Sequence, residues 1–384
     1  MSTRINVAAN SPETFDRKGV ETHMDRCVHT RHRLASCARC VQACPVGAVS
    51  LTKAISVDTA KCTGCGVCTT VCPSGAFEAA SPGALELCSL AEAQARRSKK
   101  VTFRCENHPD GVDKKPEDAI NVPCIGRIDE SILLAAVAAG AKTVRLLDGG
   151  CQRCERKRGS DVAICAAQQV NFLLESLGVL SRLQIVSQPS SGATLRKVQA
   201  ARPGVMSRRD FFAMLWGART GERITSARVS EESQRNRAPL RASIVEDVKY
   251  IPAKWRILST SIRNLGAAPR RSMFSGDLWA NVAINGNCNG CLMCASSCPT
   301  GALAKIEQDG KVGLSFTAAH CTACNLCTEV CFRNCLSVTS SADNMRIING
   351  EARLLAFHER KAVELLTASM EDRLLRLLGV NGIH

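Results

Sequence analysis

The sequence predicts a multidomain α+β / α/β chain in which two small cysteine-rich units flank a central domain built on a parallel sheet. Cysteines recur with one spacing in four places, two towards each end of the 384 residues. Between them, strand-like and helix-like stretches alternate, the pattern of a parallel α/β sheet. The length allows several domains, and 45% hydrophobic residues argue against disorder. The expected organisation is a tail at 1–24, a cysteine-rich unit at 25–83, the α/β domain at 84–190, a basic linker with a short helix at 191–280, a second cysteine-rich unit at 281–340 and C-terminal helices at 341–384.

The repeats define the outer units. Cys62-x2-Cys65-x2-Cys68-x3-Cys72-Pro73 is the cleanest, and Cys288-x2-Cys291-x2-Cys294-x3-Cys298-Pro299 matches it. Cys321-x2-Cys324-x2-Cys327-x3-Cys331 keeps the spacing but continues with Phe332. The first copy, Cys37-x2-Cys40-x3-Cys44-Pro45, has Leu34 at its leading position, and Cys27 stands ten residues before Cys37. Three thiolates in such a run wrap one four-iron cubane, and the fourth reaches the cubane of a paired run. Structural zinc also uses C-x2-C halves, but separates them by a longer loop. The runs thus resemble two bacterial-type 2[4Fe–4S] ferredoxin domains. Crossed ligation gives four sets: Cys62, Cys65, Cys68 with Cys44; Cys37, Cys40, Cys72 with Cys27; Cys288, Cys291, Cys294 with Cys331; and Cys321, Cys324, Cys327 with Cys298. His29, His32 or a three-iron cluster are the alternatives to Cys27.

After the last cysteine the copies read Pro-Val-Gly-Ala48, Pro-Ser-Gly-Ala76, Pro-Thr-Gly-Ala302 and Phe-Arg-Asn-Cys335. Cys335 thus replaces an alanine, which reads as packing, because a buried free cysteine behaves as a small hydrophobe. The same role is expected for Cys88 and Cys165. The stretch LAKIEQDGKVGLSFT between the C-terminal runs alternates around Asp309-Gly310 and predicts a β-hairpin.

In the middle, Ala84–Lys99 reads as helix, Lys100–Cys105 and Ala119–Cys124 as strands, and Asp129–Gly140 as an apolar helix. Lys142–Asp148 is a third strand, Ser160–Leu177 an amphipathic helix stopped at Gly178, and Leu183–Ser187 a fourth strand. Cys105, Cys124, Cys151 and Cys154 fall at the carboxyl ends of these strands, where open α/β sheets bind ligands. Four convergent thiols suit a [2Fe–2S] cluster or a zinc ion.

Val122-Pro-Cys124-Ile-Gly-Arg127-Ile-Asp129, Ala138-Ala-Gly140-Ala-Lys-Thr-Val144, and Gly150-Cys151 with Cys154 carry a second resemblance. The stretch 99–190 is similar to the iron–sulfur delta subunit of methyl-viologen-reducing hydrogenase. The resemblance implies a [2Fe–2S] cluster and a place between a hydrogenase or formate dehydrogenase and heterodisulfide-reductase-like flavoproteins. The chain departs from the family in having Cys105-x2-His108 where C-x2-C is common, and in the close spacing of Cys151 and Cys154. His108 is a possible replacement ligand.

Residues 188–204 are rich in Ser, Pro and Gly and read as linker. Met206–Trp216 looks like the start of a twin-arginine export signal, but its mid-chain position and short apolar stretch favour an amphipathic helix. Residues 219–275 hold 12 Lys/Arg against 5 Asp/Glu. They lack an aromatic-rich or helix-turn-helix pattern, so nucleic acid is not an expected partner. Leu354, Leu355, Leu365, Leu366, Leu374, Leu375 and Leu378 suggest C-terminal helices. The run Ile132–Ala141 is too short for a membrane span. The N-terminus has no apolar signal region, so the expected location is the cytoplasm. The formal charge of +15 is partly offset once five clusters of roughly −2 each are counted.

No Ser-His-Asp set, P-loop, H-E-x-x-H or dinucleotide fingerprint is present. The expected function is electron relay through four [4Fe–4S] clusters and one [2Fe–2S] cluster to a flavin-, molybdopterin- or hydrogenase-type oxidoreductase, with no catalytic site of its own. The alternatives are the iron–sulfur subunit of a heterodisulfide-reductase-like, hydrogenase or formate dehydrogenase complex, and a zinc-rich nucleic-acid-binding protein.

Overall fold

The computed structural model describes residues 19–52, 54–107, 118–180, 182–187, 194–197, 249–266, 268–308 and 311–359. The export-like segment, His108, the Asp309-Gly310 turn tip and the leucines beyond 359 lie outside these residues.

The first unit runs β1 (Val20–Thr22), α1 (Val28–Arg31), α2 (Arg39–Ala43), β2 (Val49–Leu51), β3 (Ile55–Val57), α3 (Val67–Val71) and β4 (Phe77–Ala79). β1 pairs antiparallel with β4, and β2 with β3. Its elements are three to five residues long, and Val20, Val49, Ile55 and Phe77 form its small apolar core.

The central domain contains α4 (Ala84–Ser98), β5 (Lys100–Cys105), β6 (Ile120–Val122), α5 (Glu130–Ala138), β7 (Thr143–Leu147), α6 (Gly159–Ser176), β8 (Arg182–Ser187) and β9 (Thr194–Lys197). The strand order is β6-β5-β7-β8-β9; the first four are parallel and β9 is antiparallel to β8. Asp129 caps α5 by accepting from the amides of Ser131 and Ile132. Residues Glu130–Val137 of α5 are all buried, which explains the lack of any polar stripe there. α6 starts one residue before the expected Ser160, and no side chain caps it.

The second half departs from the expected linker and helices. α7 (Ala253–Leu265) and β10 (Met273–Ser275) belong to the core, with Trp255, Leu258, Ile262, Phe274 and Trp279 packed in one cluster with the central helices. The indole nitrogens of Trp255 and Trp279 donate to the carbonyls of Leu278 and Ala319. The linker reading therefore fails for 249–280, and β9 also falls inside the expected linker. The composition is basic, but Trp255, Leu258 and Ile262 form a buried helical stripe, with Arg256 and Arg263 exposed and Lys254 buried beside it.

The rest runs β11 (Asn281–Ile284), α8 (Met293–Ser297), β12 (Leu303–Gln308), β13 (Lys311–Thr317), α9 (Leu326–Glu329), β14 (Leu336–Thr339), β15 (Ser341–Asp343), α10 (Asn344–Asn349) and β16 (Ala352–Glu359). β11 pairs with β14, and β12 with β13, all antiparallel, repeating the order of the first unit. Leu354 and Leu355 lie on β16, which extends the hairpin as a third strand, not in the expected helix. No helix of the described residues is long and apolar enough to cross a membrane.

Candidate metal centres

Each cysteine run folds the same way. The third cysteine of a run lies in a one-turn helix: Cys40 in α2, Cys68 in α3, Cys294 in α8 and Cys327 in α9. The fourth closes that helix, as Cys44, Cys72 and Cys298 do at its C-cap; Cys331 follows one residue later. In the three complete runs the turn leading into the helix uses left-handed backbone: Gly64 and Gly66 at φ 64° and 77°, Gly290 and Leu292 at 75° and 58°, and Ala323 and Asn325 at 51° and 64°; before α2, Ala38 has φ −131° instead.

The fold brings the cysteines into crossed groups. Cys27, Cys37, Cys40 and Cys72 interact electrostatically, and so do Cys44, Cys62, Cys65 and Cys68. In the second unit the groups are Cys288, Cys291, Cys294 and Cys331, and Cys298, Cys321, Cys324 and Cys327. Cys105, Cys124, Cys151 and Cys154 converge at the carboxyl ends of β5, β6 and β7. Burial pushes the thiols up: Cys40, Cys294 and Cys324 reach about 12, with neighbouring cysteines adding to it. All 23 cysteines are unbridged.

These groups fit iron–sulfur clusters. One concavity, about 350 Å³, is walled by Cys44, Cys62, Cys65 and Cys68 together with Val20, Val49, Val57 and Val67. A second, about 440 Å³, is walled by Cys288, Cys291, Cys294 and Cys331. Backbone amides point at the sulfurs: Ala48 donates to Cys44 Sγ at 3.2 Å, Ala76 to Cys72 at 3.3 Å, Gly126 to Cys124 at 3.4 Å and Arg156 to Cys154 at 3.3 Å. Such donors stabilise anionic thiolate ligands and tune the metal they hold. His29 and His32 lie outside all five thiol groups among the described contacts; the His32 ring accepts from the Leu34 amide.

Two residues near these groups escaped the spacing argument. Arg127 is 3% exposed and donates to the carbonyls of Gly64, Ser81 and Pro82, between the 62–68 group and Cys124. Its only sequence signal was its place in the Val122–Asp129 motif. Cys335 lines the larger concavity, with its sulfur 3.3 Å from that of Cys331. Burial opposes ionisation of Cys331, but hydrogen bonds from the Cys335 backbone and side chain outweigh it and hold its thiol low. Burial and the same contact push Cys335 up to about 12. Cys88 is buried in the main core as expected, and Cys165 is half-buried.

Comparison with known families places a 4Fe-4S dicluster domain at residues 35–76, and a methyl-viologen-reducing hydrogenase delta-subunit domain at 114–201. No curated protein and no solved structure matches the chain. The first thiol-rich unit is thus similar to a 4Fe-4S dicluster domain, and the α/β domain to the hydrogenase delta subunit.

Proposed function

We propose that the chain is the electron-transfer subunit of an oxidoreductase, with four [4Fe–4S] clusters and one [2Fe–2S] cluster on the 20 cysteines of the five groups. The observation that carries this reading is the crossed grouping of thiols from paired runs, which a set of independent zinc sites would not need. The second cysteine unit is read as another dicluster domain, because it repeats the strand and helix order of the first. When bound, clusters of this kind accept and release single electrons.

The protein's part is to hold the sites in sequence. Cys65 and Cys124 pack in one apolar cluster with Val67, Val71 and Val162, joining the central site to the 44/62/65/68 site. Cys68 neighbours Cys40 across the first unit. Cys37 and Cys324 both pack against Val28, Ala35, Leu326 and Val330, and Arg39 donates to the carbonyl of Ala323 at 3.0 Å. Cys294 neighbours Cys327. The order is thus central site, 44/62/65/68, 27/37/40/72, 298/321/324/327, and 288/291/294/331. The hydrogenase-delta-like domain at one end supports a hydrogenase-type partner there. The alternative, one subunit of a formate dehydrogenase or heterodisulfide-reductase-like complex, differs only in that partner.

Anaerobically purified protein is expected to carry about 18 iron atoms per chain with matching acid-labile sulfide. Stoichiometric zinc without sulfide would reject the cluster reading. A Cys105→Ser, Cys124→Ser double variant is expected to lose about two irons and the two-iron EPR signal; retention of both would remove the central assignment.

A further inference from the structure

We infer that Cys335 is a hydrogen-bond donor to the Cys331 sulfur, and that it raises the reduction potential of the 288/291/294/331 cluster. The inference rests on the cluster reading above. At the matching position the other runs carry Ala48, Ala76 and Ala302, whose methyl side chains donate nothing, though the Ala48 and Ala76 amides reach Cys44 and Cys72 and the Ser74 and Thr300 hydroxyls lie 3.6 and 3.8 Å from the Cys72 and Cys298 sulfurs. Here a thiol stands in the methyl's place, 6% exposed and 3.3 Å from the Cys331 sulfur. Cys335 forms part of the same wall as Cys288, Cys291, Cys294 and Cys331.

The direction of the hydrogen bond follows from ligation. A cysteine that binds iron does so as a thiolate and has no proton to give. With Cys331 as the ligand, Cys335 alone can donate. The S–H dipole then points its positive end at a ligand sulfur. The cluster gains one negative charge on reduction, so the dipole stabilises the reduced form more than the oxidised one. Hydrogen bonds to cluster sulfurs are among the determinants of potential.

The test is an EPR-monitored redox titration of full-length holoprotein, with iron counted in parallel, for the wild type, Cys335→Ala and Cys335→Ser. Cys335→Ala restores the residue of the other three runs and should fold. It is expected to keep the full iron content while one four-iron couple moves to lower potential. Cys335→Ser retains a donor and is expected to move that couple back towards the wild-type value. Unchanged couples in Cys335→Ala would make the residue packing only and overturn the inference. Loss of about four irons in that variant would overturn it differently, by making Cys335 itself a ligand. Wild-type protein without iron and sulfide would instead sink the underlying cluster reading.

Discussion

Arg127 shows how a single side chain serves two sites. Its guanidinium is buried, which pulls its pKa down, while Cys65, Cys68 and Cys124 pull the other way. Three carbonyls from the 64–82 stretch hold the fork in place. Arg127→Met would orphan those carbonyls at about 1–3 kcal/mol each and remove a positive charge beside two anionic centres. The expected result is a lower melting temperature together with lower potentials for the two clusters proposed on either side of it. Arg127→Lys keeps the charge and loses the planar fork, so it should recover the potentials better than the stability. Equal potentials in all three proteins, measured by redox titration, would assign Arg127 to packing alone. Spacing rules cannot find such a residue, since it ligates nothing. They missed Cys335 for a related reason: read alone, it is a cysteine in an alanine's position, and only the fold brings its sulfur to Cys331.

At the scale of elements, the cysteine runs and the β5–β8 strands were legible because their signals are local. Ligand spacing marks the cysteine runs, though not the one-turn helices within them, and alternating strands and helices mark the parallel sheet. Elements decided by tertiary packing were not legible, β16 and α7 among them. The paired Leu354 and Leu355 suit either a helix or a strand, and only pairing with β13 decides. The apolar stripe of α7 was masked by the basic composition around it. This helix joins the parts: Lys254 forms an ion pair with Glu130 of α5 and donates to the Thr70 carbonyl of α3 at 2.9 Å. Glu130 is fully buried and Lys254 is 7% exposed. Breaking a buried pair from one side leaves an uncompensated charge, at a cost of about 3–5 kcal/mol. Lys254→Met should therefore lower the denaturation midpoint strongly, and adding Glu130→Gln should recover much of the loss. A single variant as stable as wild type would show that α7 is held by its apolar face alone.

Across the whole molecule, the central domain touches the second half through α5 and α7, while its Cys124 packs against the first unit. Two routes to the far end can therefore be compared. One runs through the first unit, across the seam of Val28, Ala35, Leu326 and Val330. The other crosses the α5–α7 packing directly, where the shared core is Trp255, Leu258, Ile262 and the central helices. The thiol packing favours the first, because Cys65 meets Cys124 and Cys37 shares its apolar cluster with Cys324. If the proposed clusters are bound, a Cys37→Ala, Cys72→Ala variant should lose about four irons and slow the redistribution of a single injected electron between the proposed central two-iron centre and the second unit. Cys288→Ala with Cys291→Ala should lose the same amount of iron, yet leave redistribution between the central centre and the 298/321/324/327 site at the wild-type rate. Freeze-quench EPR after pulse radiolysis reads both. Equal rates in the two variants would place the route through α5 and α7, and would reduce the first unit from a link in the chain to a side branch.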